Sequence, residues 1–132
     1  MRLTLHMAAF AALTLPAFAQ EAPIQSTIQS QLEAFTAQDS AKAFSDASPT
    51  IKGIFGNSNN FGLMVQNGYP MVWQHQAVKM LELRTIAGNL WQRVMITDGA
   101  GETFLLDYKM METPEGWQID AVQLLPKQDI GA

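Results

Sequence analysis

Residues 90–112 read LWQRVMITDGAGETFLLDYKMME. Two runs rich in strand-forming residues, 90–97 and 103–112, flank the turn Asp98-Gly99-Ala100-Gly101. A connection that short joins only antiparallel neighbours. At the strand period of two, Phe104, Leu106, Tyr108 and Met110 share one side of the second run. The pattern extends in both directions, to residues 77–85 across Ala87-Gly88-Asn89 and to residues 117–125 across Thr113-Pro114-Glu115-Gly116. Four strands with three short loops predict a meander. In the last strand Trp117, Ile119, Ala121 and Leu125 are assigned to the covered side with the Phe104 row. Asp107, Lys109, Gln118 and Asp120 then fall on the opposite side, where Leu105, Met111, Val122 and Leu124 make the surface half apolar. A sheet apolar on both sides points to a second contact, such as a homodimer through the sheet.

Upstream the period changes. Ile24, Ile28, Leu32 and Phe35 are spaced four, four and three, one face of a helix, with Pro23 suited to its first turn. Asp39 caps a second helix carrying Ala43, Phe44 and Ala47. Ser48-Pro49 starts a third, with Ile51, Ile54 and Phe55, and Gly56 stops it. Ser58 starts a fourth with Phe61, Met64 and Val65, ended by Gly68 and Pro70. The fold class expected is α+β: N-terminal helices packed on a four-stranded antiparallel meander.

The first nineteen residues read as an address. Arg2 precedes an apolar stretch from Leu3 to Leu15, and Ala17-Phe18-Ala19 has the small-x-small form that signal peptidase accepts. Cleavage is expected between Ala19 and Gln20, leaving 20–132 as a single α+β domain, exported by a Sec-type route to the periplasm and not held in the membrane. The chain has 132 residues with a net charge of −4, which gives the phosphates of nucleic acid no basic surface to bind. It has no cysteine, so disulfides, thiolate metal sites and cysteine nucleophiles are excluded.

A helical half followed by four strands ending in Gly116-Trp117-Gln118-Ile119 resembles the ketosteroid-isomerase-like, or cystatin-like, cone folds. More closely, the chain resembles a family of small exported proteobacterial proteins known as a domain of unknown function. The matching stretches are Ile51-Lys52-Gly53-Ile54-Phe55-Gly56, Gly68-Tyr69-Pro70-Met71-Val72, and residues 92–98. That resemblance implies architecture and export, not chemistry. Relative to the wider cone fold, the segment from Pro49 to Gly56 stands where a hairpin is usual, and the isomerase arrangement of a base and oxyanion-binding groups is not matched.

Candidate chemistry is sparse. His75, beyond the leader the one histidine, and the pair Asp107 and Asp120, which alternate into the same half of adjacent strands, are the candidates for proton transfer. If extended, Met71, Trp73 and His75 project together, and thioether with imidazole suits Cu(I). No Gly-x-Ser-x-Gly elbow or phosphate loop is present. The plainest reading is an apolar ligand pocket between sheet and helices, lined by Phe35, Phe61, Met64, Tyr69, Trp73, Tyr108 and Trp117. Arg84 and Arg93, if turned inward, would anchor a carboxylate there. The function expected is a non-catalytic binding or interaction module, without a cofactor, for a small apolar ligand or a protein partner. The alternatives are a ketosteroid-isomerase-like enzyme using a carboxylate or His75 for proton transfer and, more remotely, a Cu(I)-binding protein through Met71 and His75.

Overall fold

The computed structural model describes residues 17–127. The leader expected over the first residues lies largely outside them. Five helices precede four strands: α1 (Ala17–Thr36), α2 (Ser40–Ser45), α3 (Pro49–Phe55), α4 (Ser58–Gly68), α5 (Pro70–Trp73), β1 (His75–Ile86), β2 (Asn89–Asp98), β3 (Thr103–Thr113) and β4 (Gly116–Leu124). The strands form one antiparallel sheet in the order β1-β2-β3-β4. The helices cover one side of it, and the fold is α+β with helices on a meander.

Local chemistry explains most boundaries. Asp39 accepts from the Lys42 N–H at 3.1 Å, and Ser48 accepts from the Ile51 N–H at 3.2 Å, so both cap their helices. The cap of α4 is Asn57 rather than Ser58: its carboxamide oxygen accepts from the Asn60 N–H at 2.8 Å. The β1–β2 hairpin places Ala87 at φ 50° and Gly88 at φ 80°, the left-handed pair that a primed two-residue turn needs. Three sequence expectations are corrected. Pro23 lies inside α1, near its start, where the missing N–H removes a single helical bond. Residues 70–73 are a helical turn, because Pro70 at its first position presets the dihedral angle, so Met71 and Trp73 do not project together as in a strand. The third correction concerns β4.

Ile24, Ile28, Leu32 and Phe35 bury the predicted stripe of α1 against the sheet. Opposite them the register pairs Val94 with Leu106, Ile96 with Phe104 and Gln92 with Tyr108. The β3–β4 pairing shifts by one between Lys109 and Met110. Met110 faces Ile119, but Tyr108 faces Val122 and Leu106 faces Leu124. Asp120 is the inserted residue, and from Val122 onward the parity of β4 is reversed, while Ala121 still lines the covered side. Val122 therefore packs against the core, not on the outer side as simple alternation had it. A second shift, between Met80 and Leu83, bends β1 in the same way.

Candidate functional site

A partly open cavity of about 240 Å³ lies between the helices and the β3–β4 half of the sheet. Phe35 and Gln31 of α1 form one wall, and Phe61, Met64 and Val65 of α4 another. Ile51 and Phe55 reach it from α3, and Tyr108, Ile119, Ala121 and Val122 make its floor. Phe61 is the aromatic hub, its ring centroid 5.4 Å from Phe44, 5.8 Å from Phe55 and 6.1 Å from Phe35. No residue of α3 is buried, and Ile54 is 66% exposed, so this helix covers the cavity with little packing of its own. It is anchored at its start. Ser48, fully buried, donates through Oγ to Asp120 Oδ1 at 2.8 Å, and its N–H donates to the Ile119 carbonyl at 2.8 Å.

Among the described residues no charged side chain lines the cavity. Its polar groups are turned to the backbone: Tyr69 Oη donates to the Val122 carbonyl at 3.2 Å, and Gln31 Nε2 to the Ala43 carbonyl at 3.1 Å. Tyr108 is the exception. It is 1% exposed, and its hydroxyl is buried without a hydrogen-bond partner among the described residues. Burial, with a smaller contribution from Tyr69, raises its pKa well above the ordinary phenol value, so the hydroxyl stays protonated.

Arg84 and Arg93 do not join this cavity. Arg93 is paired across the ladder with Asp107, on the side of the sheet away from the helices, and Arg84 reaches the same carboxylate. Arg93 Nε and Nη2 donate to the two Asp107 oxygens at 3.0 and 3.1 Å, and Arg84 Nη2 donates at 2.7 Å. Arg93 also lies 3.5 Å from Glu82. Burial alone would raise the Asp107 pKa, but the hydrogen bonds from Arg93 and Arg84 and their charges outweigh it and hold the carboxyl below its ordinary value. Around this cluster Trp91, Met95 and Leu105 are half-buried on a face that no described helix covers.

The other candidates are dispersed. Asp107 and Asp120 do not face each other: Asp107 pairs with Gln123, and the inserted Asp120 lies 3.5 Å from Lys109 and accepts from Ser48. His75 shares Nδ1 with the Val72 carbonyl at 2.7 Å and Nε2 with the Thr36 hydroxyl at 3.3 Å. Met71 is buried in the core. Trp73 packs on Phe35 with ring centroids 5.6 Å apart and lines a separate groove beside His75. Trp117 borders grooves at the far end of the sheet, and its carbonyl accepts from Thr27. Among the described residues no three His, Asp or Glu side chains gather in a metal-binding cluster. Of the pocket residues expected from sequence, Phe35, Phe61, Met64, Tyr69 and Tyr108 come together in the cavity wall, and Trp73, Trp117, Arg84 and Arg93 do not.

Sequence reasoning gave Ser48 as a helix start but not as the donor to Asp120, and it missed Gln31 and Gln92. Gln92 is buried on the helix side, where its Nε2 donates to the carbonyls of Leu81 and Arg93 at 2.8 and 2.9 Å and closes the bulge in β1. Its signal was a lone carboxamide in the alternating row of Leu90, Val94 and Ile96.

Fold and cavity together define a helix-covered antiparallel sheet with an apolar cavity between the helices and its β3–β4 half. The family model described as "Domain of unknown function (DUF4864)" matches residues 17–132, and the chain belongs to that family. A search of curated proteins gives no match, and a search of solved structures gives none.

Proposed function

We propose that this chain is a non-catalytic binding domain of ketosteroid-isomerase-like shape that holds a small apolar ligand between α3, α4 and the β3–β4 floor. The cavity itself carries the reading. An enclosed void of about 240 Å³ would cost on the order of 6 kcal/mol at roughly 24 cal/mol per Å³. Although its partly open side reduces that cost, it is a large share of the ~5–15 kcal/mol by which domains are stable. Filling it needs only a larger side chain at Ala121. Proton transfer has less support, because Asp107, Asp120 and His75 are engaged elsewhere and none lines the cavity. Thermal-shift titration with tetralin, an uncharged bicyclic hydrocarbon, tests the reading: the melting temperature should rise with concentration, and Ala121→Phe should abolish the rise. Arg93→Ala should leave it unchanged. A melting temperature indifferent to tetralin would refute ligand binding of this kind.

We infer as well that the domain acts after export to the periplasm, supported by Arg2, the apolar run behind it and Ala17-Phe18-Ala19. Intact mass of the envelope protein should begin at Gln20, and a product beginning at Met1 would refute export by cleavage.

The uncovered sheet face supports a second reading, in which a second copy of the chain covers it. Ile86, Trp91, Met95, Leu105 and Met111 are its apolar surface, and the ion pairs at its centre balance two arginines against Asp107 and Glu82. Such a patch has no net charge to repel its own copy. Light scattering should give a dimer mass that Leu105→Glu halves; a monomer at all concentrations ends this reading.

A further inference from the structure

We propose that the open groove beside Trp73 is a second binding site, separate from the cavity, and that its ligand is a neutral saccharide. Residues 53–78, from α3 through α4 and α5 into β1, hold none of the chain's eight Lys and Arg or twelve Asp and Glu residues. Charge ordinarily collects on exposed surface, yet this stretch exposes carboxamides instead, among them Asn59, Asn60, Gln66, Asn67, Gln74 and Gln76. The groove, of about 360 Å³, lies at its C-terminal end. Thr36 and Gln38 at the end of α1 form one wall, the α5–β1 junction from Trp73 to Gln76 another, and Gly99 of the β2–β3 turn a third. Among the described residues no Asp, Glu, Lys or Arg lines it. A groove so built has no counter-ion for a phosphate or carboxylate and no carboxylate for a cation.

The groups that do line it suit a sugar. Trp73 is half-buried, and its packing on Phe35, with ring centroids 5.6 Å apart, fixes the indole that borders the groove. An indole offers a flat apolar surface with a polar edge, which complements the C–H face of a pyranose ring. Gln38, Gln74 and Gln76 are exposed at the groove, and each carboxamide carries both donor and acceptor, as a sugar hydroxyl does. His75 and Thr36 stiffen the wall: the ring donates from Nδ1 to the Val72 carbonyl at 2.7 Å, and Nε2 meets the Thr36 hydroxyl at 3.3 Å. Gln38 supplies an independent sign. It closes α1 at φ 56°, its N–H donating to the Phe35 carbonyl, in the left-handed position where glycine is favoured. Glycine would make the same turn without strain, so the glutamine forgoes stability while its side chain stands at the groove. Carboxamides from two separate segments suit hydroxyls spread round a sugar ring better than the single hydrogen-bonding edge of a planar base.

The test is an NMR titration of the protein with three neutral trisaccharides of different linkage, chitotriose, cellotriose and maltotriose. Adenosine and trigalacturonate serve as aromatic and anionic comparisons. At least one neutral trisaccharide should shift the Trp73 indole N–H and the Gln38 carboxamide saturably, while the indoles of Trp91 and Trp117 stay in place. Two variants read the site without disturbing the core. Gly99→Leu adds a side chain in an exposed turn, where a Cβ would stand 3.8 Å from Gln76 Nε2, and should abolish the shifts. Gln38→Gly should weaken binding about three- to tenfold, the loss of one or two hydrogen bonds. The same variant should melt a few degrees higher than wild type, because the strained turn is relieved. A residue of purely structural value would not give that opposition. The proposal is overturned if none of the three trisaccharides saturably shifts the Trp73 indole, or if adenosine or trigalacturonate binds there as tightly as the best of them. Unchanged affinity in both Gln38→Gly and Gly99→Leu overturns it equally.

Discussion

Asp107→Ala is the sharpest perturbation of the folded state. The carboxylate is 6% exposed and accepts three charge-assisted hydrogen bonds, at 2.7, 3.0 and 3.1 Å. Hydrogen bonds to charged groups contribute ~1.5–3 kcal/mol each, and removing one partner of a buried pair costs roughly 3–5 kcal/mol. The arginine side chains here are 31% and 25% exposed, so water can replace part of what they lose. The expected cost is therefore lower, about 2–3 kcal/mol at pH 7. With a urea slope near the low end of ~1–3 kcal/mol per molar, the unfolding midpoint should fall by about 1–2 M. Asp107→Asn should also destabilise, and its gap from wild type has a defined pH dependence. The folded-state pKa lies below the ordinary 3.8, so the contribution is fully present above pH 3.8 and drains away as pH falls through the folded value. Replacing the cluster as Arg84→Met, Asp107→Leu and Arg93→Met together should recover most of the loss, because apolar neighbours need no counter-charge. An Asp107→Ala midpoint within 0.2 M of wild type, or an Asn gap that persists undiminished at pH 2, would refute the account of this cluster.

Three further outcomes follow from single contacts. Ser48→Ala removes both the cap of α3 and the donor to Asp120, and should cost about 1–2 kcal/mol in urea unfolding while loosening α3 in hydrogen exchange more than α4. Gln92→Leu leaves the Leu81 and Arg93 carbonyls without their donor and should lower stability by about 2 kcal/mol, with early exchange of the β1 amides. Gly62→Val forces a side chain into α2, since a Cβ at Gly62 would stand 3.2 Å from Ser40 Cβ and closer still to its Oγ. A loss of about 1–3 kcal/mol is expected, and a thermal midpoint unchanged by the valine would contradict the tight α2–α4 contact.

The parts of this fold that were legible in sequence are those decided locally. The α1 stripe, the caps at Asp39 and Ser48, the stop at Gly56 and the existence of four strands each depend on residues within one turn or one hairpin. What escaped depends on pairing between distant residues. Alternation places Ala121 beside Ile119, and Ala121 does line the cavity, but only the β3–β4 register reveals that Asp120 is inserted and that Val122 joins it opposite Tyr108. The arginines escaped for a related reason. β2 is apolar in both of its alternating rows, Leu90-Val94-Ile96 and Trp91-Met95, and the carboxamide of Gln92 in the first row conceals which row is inward. With Val94 and Ile96 buried, Arg93 is forced outward, to Asp107. Tyr69 and Tyr108 were legible as pocket residues because one ends α4 and the other sits mid-row in β3, but the missing partner of Tyr108 is a property of packing alone.

The insertion at Asp120 also decides which residues of β4 face the helices. Without the shift, the inward row of β4 would run Ile119, Ala121, Gln123, and the carboxamide of Gln123 would stand opposite Leu106 on the covered side. With it, Val122 stands opposite Tyr108, its carbonyl is taken by Tyr69, and Gln123 is turned out beside Asp107. The inserted residue is held from two directions, by Ser48 at the start of α3 and by Lys109 of the neighbouring strand. One extra residue in an edge strand thus ties the start of the helix that covers the cavity to the sheet and turns Gln123 away from the covered side.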